Sequence, residues 1–221
     1  MTKPHPPILA PNVAEFCTAH GFALTAQQAY GLTSYLELLL KWNRHMNLVG
    51  FNTWQDVLTN LVLDSFHLAG FIRELTSPPS PLAWDLGAGS GLPGIPLRLV
   101  WQEGQYWMVE AREKRASFLN IALSRLKLPN TRVFQGRVED FMPMQHSADI
   151  ILSRAFMPWP QLLWLVAPFL NPSGLVILLS NLPLNQIPKG WLMAAAGEYI
   201  AVKGPRYFSA LSLAPPVNAP N

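Results

Sequence analysis

A single cysteine, Cys17, stands among 221 residues, which excludes a disulfide framework and any metal centre built from several thiolates. Histidine is nearly as scarce. The five of them are scattered, and none pairs at a metal-ligand spacing, so no metal is expected. No apolar run approaches the roughly 20 residues needed to cross a bilayer, because prolines and polar residues interrupt every candidate. A basic-then-apolar leader pattern is also missing. The expectation is therefore a soluble, cytoplasmic protein with no membrane partner. Only 13% of residues are charged against 50% hydrophobic, enough for one well-buried core plus a small appended element. No internal repeat occurs, and nothing demands more than a monomer.

The charge balance, 16 basic against 13 acidic residues, gives only +3, but its distribution is uneven. Between Arg98 and Arg137 stand Arg98, Arg112, Lys114, Arg115, Arg125, Lys127, Arg132 and Arg137, opposed only by Glu103, Glu110 and Glu113. Such a concentrated basic field fits a polyanionic partner. A solvated helix face accounts for the same cluster equally well.

Residues 1–76 read as an N-terminal arm and helical cap, and residues 77–221 as the main α/β unit. Met1 to Pro11 is proline-rich and loose. Asn12 or Thr25 could cap a helix. Leu32, Tyr35, Leu36, Leu39, Leu40, Asn43 and Met46 then mark a long amphipathic helix, and Asn60 to Glu74 a second. Beyond a Ser77–Pro81 linker, apolar runs alternate with helical patterns. Strands are expected at Leu82–Trp84, Tyr106–Val109, Arg132–Phe134, Ala148–Leu152 and Leu175–Leu179, with helices at Arg112–Leu128 and Pro158–Leu170. Tyr199–Val202 and Tyr207–Leu213 could add antiparallel edge strands. This alternation predicts an α/β fold, a doubly wound, mostly parallel sheet with an N-terminal helical cap.

The most informative stretch joins the first strand to the next helix: Asp85-Leu86-Gly87-Ala88-Gly89-Ser90-Gly91-Leu92-Pro93-Gly94. A strand, a glycine-rich turn and a helix in this order present free backbone N–H groups to a ligand. Two ligands compete for it. Gly89-Ser90-Gly91-Leu92-Pro93-Gly94, with Glu110 at the right distance, fits the G-x-G-x-x-G turn of nicotinamide dinucleotides. The fuller Asp85-x-Gly87-x-Gly89-x-Gly91 has the form of S-adenosylmethionine (SAM) sites in Rossmann-like methyltransferases. Asp85 would repel a pyrophosphate but attract a sulfonium cation.

Further segments appear in order: Lys41-Trp42-Asn43 with Asn47-Leu48, Leu63-Asp64-Ser65, the glycine turn continued as Leu92-Pro93-Gly94-Ile95-Pro96-Leu97, Lys114-Arg115 with Phe118-Leu119, Gly136-Arg137-Val138-Glu139-Asp140-Phe141, and Ser153-Arg154-Ala155-Phe156. From about Leu32 to Leu179 the chain thereby resembles the bacterial small-subunit ribosomal RNA methyltransferase G family, glucose-inhibited division protein B. The resemblance implies a Rossmann-like fold and methyl transfer from SAM to N7 of a guanine in a loop of 16S rRNA, with free rRNA or the small ribosomal subunit as partner. It implies SAM contacts at Gly87, Leu92, Val138, Glu139 and Arg154, with Gly89 and Gly91 in the same loop, Asp85 beside it and Glu110 on the ribose. Arg137 and Arg154 are cast as the pair at the reacting base, and Arg112, Lys114 and Arg115 as RNA contacts. N7 carries a free lone pair and no proton, so the transfer needs alignment rather than a general base. Asp64 and Trp42 could equally serve only the cap.

The chain departs from the family pattern at Val49, Asn60, Leu61, Ser180 and Asn181. These departures remove up to two cationic groups and a hydroxyl from the RNA-facing rim. They leave open a second reading, a SAM-binding rRNA- or ribosome-association factor with weak or no methyl transfer.

Overall fold

Residues 7–75 and 78–215 are described by the computed structural model, so the start of the expected arm and part of the Ser77–Pro81 linker lie outside the described residues. The end of that arm is helical: α1 (Ala10–Ala19) carries Pro11 in its first turn, where a missing N–H costs little. Asn12 lies inside α1 and caps nothing. Thr25 does cap α2 (Ala26–Met46): its hydroxyl accepts the Gln28 N–H while Gln28 Oε1 accepts the Thr25 N–H. The next helical run begins six residues before the expected Asn60, because the Thr53 hydroxyl accepts the Asp56 N–H and starts α3 (Trp54–Val57). A π-helical turn over Leu58–Val62 joins it to α4 (Leu63–Glu74).

The main unit contains β1 (Leu82–Leu86), α5 (Gly94–Val100), β2 (Gln105–Glu110), α6 (Glu113–Leu126), β3 (Thr131–Gln135), α7 (Val138–Phe141), β4 (Ala148–Arg154), α8 (Trp159–Val166), β5 (Leu170–Ser180), β6 (Trp191–Ala201) and β7 (Gly204–Leu213). They form one seven-stranded sheet in the order β3-β2-β1-β4-β5-β7-β6. The first five strands run parallel; β7 pairs antiparallel with both β5 and β6. The fold is the expected doubly wound, mostly parallel sheet, and the tail supplies the expected antiparallel strands, both longer than their apolar runs suggested.

Strand periodicity divides the core into two layers. Ala83, Tyr106, Met108, Ile150, Leu152 and Ile177 face the cap side, where they meet Leu32, Tyr35, Leu39, Phe66, Ile95, Phe118 and Leu119. Trp84, Leu86, Val109, Ile151, Val176 and Leu211 face the other way, against Phe141, Leu162, Leu163 and Val166 of α7 and α8. The cap and the sheet thus share one hydrophobic layer. Among the described residues no helix is long and apolar enough to cross a membrane. Strand order reverses between β1 and β4, and in such sheets ligands gather in the crevice at the carboxyl ends of the strands on either side of that point.

Candidate functional site

The turn after β1 is held from below and from both sides. Gly87 and Ala88 donate their N–H groups to the Val109 carbonyl at 2.9 and 3.1 Å, and Gly91 donates to Ala88 at 2.8 Å. From the cap, the buried Tyr35 hydroxyl donates to the Ser90 carbonyl at 2.9 Å. Two glycines are required by geometry. Gly87 has φ +74°, and a Cβ there would lie 2.4 Å from the Phe156 ring. Gly89 has φ +58°, but a Cβ there would meet nothing nearer than 3.7 Å, so this position opens onto free space.

Glu110 closes β2 and is buried. Its Oε2 accepts the Gly89 N–H and its Oε1 the Arg112 N–H, each at 2.8 Å. The carboxylate therefore ties the glycine turn to the loop entering α6. Each oxygen retains a lone pair for a further donor such as a ribose hydroxyl. Beside it lies a cleft of about 580 Å³, lined by Gly87, Glu110, Arg112, Arg115, Arg137, Val138, Glu139, Ala155 and Phe156 among others. Val138 and Glu139 stand at the start of α7, after the β3 strand end, on the wall of this cleft.

Asp85 lies under the turn, only 2% exposed, and does not line the cleft. It accepts from the Tyr106 hydroxyl at 3.2 Å and from the Gly94 backbone N–H at the start of α5. Burial pushes its carboxyl up to about 7, against the lowering influence of Tyr106, Arg154 and Gly94. A carboxylic acid raised in the folded state contributes stability below the unfolded value near 4 and loses it as pH rises through about 7. Asp85→Asn is expected to remove that slope: between pH 5 and 8 its melting temperature should fall less than that of the parent protein. Parallel melting curves measured across this range would refute the assignment.

The two arginines placed at the reacting base do not converge. Arg137 caps α7 with its side chain exposed, its Nε 3.6 Å from Glu139 on the cleft rim. Arg154 ends β4 and turns toward the cap, its Nη2 2.8 Å from Asp64 Oδ2. Its other guanidinium nitrogen donates to the Leu61 carbonyl at 3.4 Å. Asp64, buried at 4% exposure, also accepts from the Tyr199 hydroxyl of β6. The next residue, Ala155, has φ +52°, a left-handed conformation that a non-glycine residue adopts only where its surroundings enforce it.

The basic field is smaller than its sequence count. Arg98 is wholly buried, donating to the carbonyls of Trp101, Gln102, Glu103 and Pro129, where it closes the end of α5. Arg125 pairs with Glu37 of α2 at 2.9 Å. Arg112 and Lys114 are exposed. Arg115 lines the cleft, and its Nη1 is the nearest side-chain atom to the space above Gly89. That places it on the glycine turn rather than on an outer helix face. Leu92 packs half-buried against the cap-side layer, and Gly91 is buried against Ile95 and Leu119. Trp42 meets Phe118 edge-on, ring centroids 5.7 Å apart, as a packing residue of the cap. Sequence reasoning missed Tyr199 and the direction of Arg154. The only signal was Asp64 itself, an acid in an apolar helical stripe.

Solved structures with the same architecture include a putative O-methyltransferase from Klebsiella pneumoniae, with a TM-score of 0.58 and 15% identity, covering 82% of this chain and 90% of that one. This likeness concerns the fold. Sequence relatives reach further. A protein named ribosomal RNA small subunit methyltransferase G from Nitratidesulfovibrio vulgaris is 52% identical over 211 residues, 95% of either chain. One of the same name from Lawsonia intracellularis is 48% identical, covering 92% of this chain and 95% of its own. Residues 28–187, which carry the glycine turn, Glu110 and the Asp64–Arg154 pair, match the family described as GidB, rRNA small subunit methyltransferase G. With the match spanning most of the chain and both faces of the crevice, the protein belongs to the GidB family of methyltransferases.

Proposed function

We propose that this protein transfers the methyl group of SAM to N7 of a guanine in a loop of 16S rRNA. The observation that carries the reading is the glycine turn, with Glu110 locking the Gly89 N–H, open space above Gly89, and both Glu110 and Arg115 lining the cleft beside it. SAM would supply an electrophilic methyl on a sulfonium. The backbone from Gly87 to Leu92 would face its methionine part, Glu110 its ribose hydroxyls, and Val138 with Glu139 its adenine. Arg115 stands where an α-carboxylate above Gly89 would lie. Neutralising that carboxylate fits its half-buried position better than the RNA contact read from sequence.

Guanine N7 offers an in-plane lone pair, so no side chain has to remove a proton. The chain's task is to hold the base in line with the donor and keep water out. Arg154, held by Asp64 at the wall beyond Ala155, would donate to the O6 edge of such a base. Arg137, on the exposed rim, is better suited to a phosphate. Arg112 and Lys114 remain exposed for backbone contacts.

Incubation with tritiated SAM and small ribosomal subunits from cells lacking the protein, followed by mapping of the modified base, tests the proposal. One new N7-methylguanine in 16S rRNA is expected; no incorporation into subunits or free rRNA defeats it. Calorimetry should show binding of SAM and none of nicotinamide dinucleotide. Arg115→Ala is expected to weaken SAM binding about tenfold, the loss of one charge-assisted hydrogen bond. An unchanged titration would return Arg115 to the RNA side.

A further inference from the structure

A second pocket, of about 530 Å³, lies across Ala155 from the donor cleft, between the cap and the β6–β7 hairpin. Its wall carries three cations, Arg154, Lys203 and Arg206, against one carboxylate, Asp64. That carboxylate is occupied by Arg154 and Tyr199. An anion entering here therefore meets uncompensated positive charge. At the mouth, the hairpin reaches the cap: the Lys203 ammonium lies 4.5 Å from the centre of the Phe51 ring. Where an exposed lysine lies over an aromatic face, a planar ligand can take its place and stack there. The opposite wall is the π-helical turn, which brings Asn60 and Leu61 to the pocket. Asn60 brings a polar side chain to that wall; its Oδ1 is shielded from solvent and finds no hydrogen-bond partner among the described residues.

We propose that this pocket takes the target nucleotide of the RNA, the base stacking on Phe51 in place of the Lys203 ammonium while Lys203 moves to the nucleotide's phosphate. The inference rests on reading the chain as an RNA guanine methyltransferase and adds the residues that receive the substrate. It also gives the hairpin a purpose in a chain that departs from the family pattern at Asn60, Leu61 and Ser180. Those three positions line the same pocket, and Lys203 and Arg206 bring positive charge to it from the opposite side.

The test uses the full chain with Lys203→Met, Phe51→Leu and, as control, Lys189→Met, an exposed lysine beyond the far end of β6. Methyl transfer to unmethylated small subunits is measured beside anisotropy of a labelled 16S rRNA hairpin and calorimetry with SAM. Phe51→Leu keeps apolar bulk but removes the aromatic face, and should raise KM for RNA about tenfold. Lys203→Met should weaken RNA binding and lower the slope of log affinity against log salt by about 0.7, one phosphate contact to a single strand. SAM affinity and the control should stay at parent values. Parent-like KM and salt slope in both variants overturn the proposal, as does an equal loss in Lys189→Met or a loss that follows SAM affinity. If the parent protein binds the hairpin but transfers no methyl, the enzymatic reading fails by itself, and the anisotropy comparison still decides the subsite.

Discussion

Arg154→Ala is expected to lower kcat/KM for RNA methylation by about 10²–10³-fold, the range seen when one preorganised donor at a reacting centre is removed. The same change leaves Asp64 buried with only the Tyr199 hydroxyl as partner, which costs about 3 kcal/mol of stability through the unpaired charge. The two effects must be separated. Asp64→Asn in the same chain removes the orphaned charge, so the double variant should recover most of the melting temperature while remaining inactive. If activity returns together with stability, Arg154 only braces the cap against β4. Arg154→Lys is the finer probe. It keeps a cation for Asp64 but cannot also reach the Leu61 carbonyl and a base edge in one plane, so it should fold normally and transfer slowly.

The parts of this site that were legible in the sequence are those whose information is local. Three glycines at alternate positions after a strand leave few other structures, and Glu110 one strand later follows from the spacing of a β-α-β unit. The long helix α2 could be read from its apolar stripe and Thr25. What escaped depends on contacts between distant segments. Arg154 ends a strand that sequence reading found but stopped two residues short, at Leu152, and its side chain turns to Asp64, 90 residues earlier, and through it to Tyr199. Nothing local in Ser153-Arg154-Ala155-Phe156 encodes that direction. The insertion of β7 between β5 and β6 is likewise a choice of partner rather than of conformation. Both strands were visible as apolar runs, but their order was not. Charge counting failed at Arg98 for a related reason: a guanidinium surrounded by backbone carbonyls looks, in one dimension, like any surface arginine. Asp85 shows the reverse case. The acid expected beside a sulfonium holds the start of α5 instead, so its influence on the donor acts through the position of the turn and through its field.

Gly89→Val should abolish SAM binding while leaving the fold in place, and the reason lies in the difference between its neighbours and those of Gly87. At Gly87 a side chain would strike the Phe156 ring, so a substitution there would disturb packing as well as binding. At Gly89 the nearest atoms to a new Cβ are Arg115 Nη1 and the Gly87 carbonyl oxygen, both at 3.7 Å. The added atoms thus enter open space instead of the core. The backbone cost is that of a β-branched residue at φ +58°, about 1–3 kcal/mol, which a sheet of this size should tolerate. The Gly89 N–H must still reach Glu110, and far-ultraviolet circular dichroism should be unchanged. Calorimetry is expected to show at least about a 100-fold rise in Kd, equivalent to about 2.7 kcal/mol. Gly89→Ala separates strain from occupancy, because it shares the unfavourable φ but adds one carbon rather than three. If alanine and valine weaken binding equally, backbone strain is the cause and the space above Gly89 does not hold the donor. A much larger loss with valine places the methionine part of SAM over this glycine.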